Sequence, residues 1–529
     1  MRVWMWLVLP LAGCNAILGQ SSPRATLSMC SCVEWVPQGA HVDVPFTVNR
    51  TSSGPLTLHA TLPADITASD VTLADDASSG TITLSASSTS TLGATGAATF
   101  QLLEGTQLDD QATLTVGVSG TPGTLDTTWG SGGVVTLPSL GYPTASYVID
   151  IDSRGRIVVG STVVESDAVV DLVVARYLPD GTLDTTFGDH PAGTRLGYTE
   201  CYPGTSTNNL VSTQPVGLRI DSQDRIVMAN ERSAQLCEAE VRRWTVDGAL
   251  DVTFKTYSNQ VNGTQYCGAA TGLALEPSGQ IVLLAAWNFL TGVETLLQML
   301  DGNDGTPEST YHVTLDASGT STSNQRFTQM YDLAIDDRGG FVLGGRQYSG
   351  SAWMAGSAPI AGAIARVGPD GLRDTAFGTS AAYTPYDPSF ATIFWHVAID
   401  PTSKDVFGVG EDAPGTHSSL VRLDGTTGQP SGFGQTTVDA CPGGTSQALT
   451  QVMVDSRSRV VATGPCAKGG IANIGLVRAS VDGVVDATYG SASGITTEGD
   501  PHGAKLDADD RLYVVGEIDS TAAVWRFWP

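Results

Sequence analysis

The chain has 529 residues, too many for one ordinary domain and suited to two or three. Asp plus Glu number 54 against 27 Lys plus Arg, a formal net charge of −27 that argues against a nucleic-acid backbone or an anionic lipid surface as the main partner. Charged residues make up only 15% and hydrophobic ones 41%, which argues against wholesale disorder, and 61 Gly with abundant Thr, Ser, Asp and Val is the composition of short strands joined by tight turns.

The chain opens with Met1-Arg2, an apolar run from Val3 to Leu9, and then Leu11-Ala12-Gly13-Cys14. One positive charge, a hydrophobic region and small residues before a cut form the pattern of a secretory signal, here residues 1–13. Leu-Ala-Gly-Cys resembles the lipobox of bacterial lipoproteins. That resemblance implies cleavage before Cys14 and a diacylglyceryl group on its thiol; the alternative is a plain secretory signal with an incidental Cys. No other stretch approaches the roughly 20 apolar residues of a membrane span, so acyl chains on Cys14 are the expected anchor. Asn15 stands where the retention signal for the inner membrane in related bacteria is Asp, and the outer membrane is the expected location. Residues 14–25 read as a tether.

Residues 26–120 alternate polar and apolar over His41–Val48, Leu56–Ala60, Gly80–Leu84 and Ala112–Val116, with turn clusters between, which suits an immunoglobulin-like β-sandwich. The run Leu62–Ala68 resembles a turn of sandwich domains in bacterial lipoproteins, a likeness that speaks to fold alone. A spacer is the expected role. Seven cysteines remain beside Cys14, an odd number, in a chain expected in an oxidising compartment. Cys30 and Cys32 lack a neighbouring His or second Cys pair at zinc spacing.

From residue 121 the sequence repeats. An alternating strand ends in an acid, turns tightly and re-enters as a wholly apolar strand, first at Val148–Gly160 and last at Ala504–Gly516. The acids are Asp152, Asp221, Glu276, Asp336, Asp400, Asp455 and Asp507, separated by 69 residues at most (Asp152 to Asp221) and 52 at least (Asp455 to Asp507). A second strand pair follows, as in Leu172–Leu178 and Pro179–Gly188, with Asp-Gly marking the hairpin. Four strands per unit and seven units describe a propeller. The segments resemble the delta-60 repeat family of secreted bacterial proteins over residues 121–529, with Met299 and Asp301-Gly302-Asn303-Asp304-Gly305 as the departures in the third unit. Membership implies a propeller-like fold and no particular activity. The seventh unit stops at its third strand, Val524–Pro529, and the missing outer strand is supplied by Gly133–Leu137. The expected fold is therefore all-β: an N-terminal immunoglobulin-like sandwich, then a seven-bladed β-propeller closed by an N-terminal strand.

Candidate chemistry is sparse. Arg recurs on third strands, including Arg176 and Arg526, either as an anion-binding ring or as structural partners of Asp184 and, across the closure, Asp126; buried guanidinium groups need such partners. Nucleophile and zinc-protease motifs do not occur, and neither cofactor nor metal is expected. His190, His312, His396, His417 and His502 read as residues in or near one class of loop. Loop positions pair Cys441 with Cys466, and Cys201 with Cys237, for which Cys267 competes. Long loops share one rim, and Trp287, Trp353 and Trp395 are the expected anchors of a ligand there, with ordinary loop packing as the alternative. Two functions remain: a surface lipoprotein of the outer membrane whose propeller is a non-enzymatic binding or assembly scaffold for a protein or glycan, or an extracellular hydrolase or lyase acting on polysaccharide or peptide. Two acids and a His converging in the channel would favour the enzyme.

Overall fold

Val44, Phe46 and Val48 are buried while their neighbours face solvent, so His41–Arg50 forms a strand with one apolar face. The same alternation builds the whole N-terminal unit of a computed structural model that describes residues 25–30, 32–51, 53–166, 169–189, 196–200, 212–233, 238–258, 267–289, 292–313, 326–349, 361–378, 383–385, 390–412, 417–444, 446–494 and 497–529. The chain divides after Gly120 into two compact units. In the first, one sheet orders Ala25–Met29, His41–Arg50, Ser79–Ala86 and Ile66–Thr67, and a second orders Val33–Pro37, Gln107–Ser119, Thr95–Glu104, Leu56–Thr61 and Val71–Leu73. Val44, Phe46, Ile82 and Leu84 of one sheet and Leu58, Phe100, Leu114 and Val116 of the other share a single core. Cys30 and Cys32 are joined in a disulfide.

Among the described residues the second unit is a succession of seven antiparallel sheets of propeller-like design, each with four strands; the sixth has its first strand broken into Ser446–Gln447 and Gln451–Val454. The first strands of the other six are Thr144–Ile151, Ser212–Ile220, Cys267–Leu275, Arg326–Ile335, Ile393–Ile399 and Asp500–Leu506. Each packs on its successor, and Asp500–Leu506 packs on Thr144–Ile151, so these strands line a closed central channel. Second strands are apolar on both faces because neighbouring sheets cover both: Ile157, Val158 and Val159 are all buried. The recurring acid caps the turn between them. Asp152 Oδ1 accepts the amides of Arg154 and Arg156 at 2.9 Å, and Asp221, Asp455 and Asp507 do the same for their own turns. The last sheet takes its outer strand from Val134–Thr136, which pairs Val134 with Trp525 and Thr136 with Ala523. No helix among the described residues is long and apolar enough to cross a membrane.

Third-strand arginines join sheet to sheet. Arg176 Nε lies 2.8 Å from Asp184 in its own sheet, while its Nη1 donates to the carbonyl of Val246 in the next. Arg243 and Arg366 repeat this with Asp251 and Asp374 and with the carbonyls of Gly302 and Gly425. Arg526 closes the ring, paired at 2.6 Å with Asp126 and donating to Pro179 O at 3.4 Å. The fifth sheet differs. Pro430 replaces the usual carboxylate, and Asp405, at the start of the second strand, takes Arg422 Nε at 2.7 Å instead.

Candidate functional site

Every complete first strand carries a β-bulge at the same place. The register skips one residue between Ser146 and Val148, Pro215 and Gly217, Ala270 and Gly272, Met330 and Asp332, Phe394 and His396, and Pro501 and Gly503. In the broken strand of the sixth sheet, residues 448–450 stand opposite 464–465. The extra residues are Tyr147, Val216, Thr271, Tyr331, Trp395 and His502, with Thr450 in the break, and each stands five positions before its turn acid. A bulge re-aims the side chain it frees. All seven residues line one cavity of about 470 Å³ in the channel, a volume on the scale of small-ligand sites, roughly 300–1,000 Å³. Close approach at the bulge explains glycines on the second strands: a Cβ on Gly345, Gly410, Gly464 or Gly516 would strike the carbonyl oxygen of Gln329, Ile393, Ala448 or Asp500 respectively.

The ring is chemically uneven. Its aromatic members come in two pairs, Tyr147 stacked on His502 with centroids 4.6 Å apart and Tyr331 tilted on Trp395 at 5.2 Å. Trp395 Nε1 and His502 Nε2 are both buried with no hydrogen-bond partner among the described residues. An unmade hydrogen bond of that kind costs about 1–3 kcal/mol. The same cavity is lined by Arg219, Lys505, Asp332 and His396. Lys505 Nζ pairs with Asp150 at 2.8 Å, and Asp332 Oδ2 accepts the amide of Val397 at 2.9 Å and lies 3.5 Å from His396 Nδ1. Burial holds His396 below the usual imidazole value, Arg219 and Lys505 add to that effect, and Asp332 opposes it. His502 is likewise lowered by burial against the pull of Asp500, while burial and then Asp500 raise Glu517. Asp500, His502 and Glu517 each bring one donor atom within 4.8 Å of the others.

The expected rim anchors separate. Trp395 and His396, expected in a long loop, belong to the strand Ile393–Ile399, and His502 to Asp500–Leu506; all three face the channel, because strands begin before the bulge rather than after it. Trp287 lies in the strand Ile281–Phe289 rather than a loop, and His312 in Pro307–Val313. Trp353, Cys14, Cys201, Cys237 and His190 lie outside the described residues. Cys441 and Cys466 are joined in a disulfide with Cα atoms 5.3 Å apart. Arg176 with Asp184 and Arg526 with Asp126 lie between sheets, their charges paired, and away from the channel cavity. Tyr147, Tyr331 and Thr450 were not expected at a site; their only signal is a fixed distance from the turn acid.

Residues 155–187 match a family described as a β-propeller domain of unknown function, DUF5122. No curated protein matches the chain. Among solved structures, the chain is similar to a quinoprotein alcohol dehydrogenase-like protein from Bacteroides thetaiotaomicron VPI-5482, at 11% identity over 94% of this chain and 96% of that one, with a TM-score of 0.37. An ulvan lyase described as a new family of polysaccharide lyase aligns at 10% identity over 74% of this chain and 95% of that one, TM-score 0.43. An α-L-arabinanase of Penicillium chrysogenum aligns at 10% identity over 66% and 99%, TM-score 0.40. Likeness at this level carries no activity across. The chain is an all-β protein whose second unit is propeller-like, and the matched segment supports a propeller family.

Proposed function

We propose that this protein is a surface lipoprotein anchored to the outer membrane through Cys14, in which an immunoglobulin-like sandwich serves as spacer and a closed seven-bladed propeller of delta-60-like repeats is a non-enzymatic binding scaffold. Recognition belongs to the channel cavity rather than to the long-loop rim. The observation that carries this is the ring of seven bulge residues, Trp395 and His502 among them, that lines one cavity of ligand size. Aromatic faces beside unspent polar groups suit a hydroxyl-rich glycan end or a polar peptide side chain. The test uses residues 24–529 on a glycan panel and in pull-downs from outer-membrane extract. Trp395→Ala should weaken whatever binds by at least about tenfold, since Trp is prominent among interface hot spots. Equal binding by wild type and variant would remove the channel from recognition. Cys14→Ala should move the protein to soluble fractions and abolish palmitate labelling; a variant that stays membrane-bound would end the lipoprotein reading.

A second reading, a hydrolase or lyase, is favoured by one observation: two acids and a His meet beside the channel. Asp500 and Glu517 stand opposite each other on adjacent strands of one sheet, with one oxygen of each within 4.8 Å of the other. The cluster alone assigns no reaction, so binding stays the preferred reading. Release of reducing or unsaturated ends from a bound polysaccharide, lost in His502→Gln, would reverse the preference.

A further inference from the structure

We propose that Asp500, His502 and Glu517 bind one first-row divalent metal ion, of which Zn²⁺ is the type, on the wall of the channel. Asp500 opens the strand Asp500–Leu506 and stands directly opposite Glu517 on Leu512–Ile518, while His502 occupies the bulge two residues on. One donor atom from each lies within 4.8 Å of the other two. Tetrahedral Zn²⁺ with bonds near 2.0–2.2 Å needs donors about 3.4 Å apart. The remaining distance is within reach of side-chain rotation, because neither carboxylate accepts a side-chain hydrogen bond among the described residues.

Two further observations point to a ligand. His502 Nε2 is buried with no hydrogen-bond partner among the described residues, and stacking on Tyr147 holds the ring plane. Among the described residues neither carboxylate has an ion pair, and Lys505 of the same strand is spent on Asp150 at 2.8 Å. The combination is confined to the seventh sheet. At the positions of Asp500 and His502 the other sheets carry Ala145 and Tyr147, Gln214 and Val216, Ala269 and Thr271, Gln329 and Tyr331, Ile393 and Trp395, and Ala448 and Thr450. A purely architectural device would repeat with the architecture.

The donor set selects the metal class. One imidazole nitrogen with two carboxylate oxygens suits Zn²⁺ and its neighbours, whereas Ca²⁺ takes six to eight oxygens and Mg²⁺ an octahedron of them. Three protein ligands leave a position open towards the channel, where water or a ligand group completes the shell.

The test takes the full chain, stripped with chelator and dialysed, and titrates it with ZnCl₂ by calorimetry, with metal content measured after gel filtration. One Zn²⁺ per chain should bind to wild type and to His396→Gln, a channel imidazole outside the cluster. His502→Gln and Glu517→Gln should each lower affinity by at least about tenfold, with metal-free melting temperatures near that of wild type. Calcium chloride should produce no comparable binding. Wild type without a stoichiometric site, variants that keep wild-type affinity, or Ca²⁺ binding as tightly as Zn²⁺ would each overturn the proposal. The readout is metal content, so it stands or falls separately from glycan or protein binding in the channel.

Discussion

A buried guanidinium must find a carboxylate or carbonyl, and the fifth sheet shows how strictly. With Pro430 in the usual acid position, Arg422 turns to Asp405, which also accepts the hydroxyl of Ser431 at 3.2 Å. In four of the other sheets the comparable site at the start of the second strand is an arginine, Arg156, Arg225, Arg459 or Arg511, facing the turn acid. The acid has therefore moved to the neighbouring site, and two pairs have become one: the turn acid Asp400 takes the hydroxyl of Ser403 at 2.9 Å instead of an arginine. Asp405→Ala leaves the half-buried Arg422 lacking its ion pair, and should cost about 1–3 kcal/mol in denaturant unfolding; a loss well below about 1 kcal/mol would show that the carbonyl of Val481 alone satisfies Arg422. His396 gives a pH signature. Its folded-state value is depressed below the ordinary 6.5, chiefly by burial. The unfolded chain therefore takes up a proton first as pH falls, so the stability is complete above about pH 6.5 and is lost as pH drops towards the folded-state value. His502 acts with the same sign, whereas the raised Glu517 acts with the opposite sign at lower pH. The quantity to measure is thus the difference between wild type and His396→Gln from pH 7.5 to 5.5. That difference should shrink as pH falls, and parallel curves would mean that His396 titrates as it does in water.

At the scale of elements, the strand with one extra residue does most to distinguish this chain from a plain stack of hairpins. Strand order, turn acids and the pairing of the last strand are legible in the sequence, because each is a short local pattern repeated at a fixed place. The bulge is not, since one unpaired residue inside a strand of about eight leaves the alternation nearly intact. Trp395 and His502 consequently read as residues in or near loops, and Tyr147 and Tyr331 stand just ahead of the strands read from the sequence, although all four line one cavity. The signal was present as a count of five residues to the acid, which acquires meaning only once the register is known. Gly410 is the sharpest place to test the bulge. It is buried on Val406–Glu411, and a Cβ there meets the carbonyl oxygen of Ile393 with no flexible side chain to give way. Gly410→Ala should destabilise by about 3 kcal/mol or more. It should also weaken any channel ligand, because Trp395 is aimed by the same bulge. A variant with wild-type stability would mean that the bulge relaxes easily and does not fix the ring.

For the whole molecule, a net charge of −27 contrasts with a cavity lined by Arg219 and Lys505 as well as Asp332. Long-range attraction favours neutral or basic partners and weakens with salt, while in the cavity Lys505 is already paired with Asp150. Holding that cavity depends on closure of the second unit. Val134–Thr136 pairs with Thr521–Phe527, Trp528 donates its amide to Thr124 O at 2.9 Å, and Gly123 donates to Trp528 O at 2.9 Å. Trp525, Phe527 and Trp528 are all buried there, and Trp129 meets Tyr513 edge-on at 5.7 Å from the other side of the seam. Loss of one such aromatic costs about 3–5 kcal/mol, against a total of about 5–15 kcal/mol for a typical domain. Trp528→Ala should therefore lower the melting temperature while leaving a folded protein, and deletion of Val524–Pro529 should remove the seventh sheet altogether. Hydrogen exchange separates seam from body: in Trp528→Ala the amides of Val134–Thr136 should exchange much faster, and those of Phe341–Ser349 in the fourth sheet should keep most of their protection. If both segments lose protection equally, the unit unfolds as one body from any point. If neither changes and the deletion melts like wild type, the pairing of Val134–Thr136 with Thr521–Phe527 does not hold the ring, and the channel must be closed by the packing of Asp500–Leu506 on Thr144–Ile151 alone.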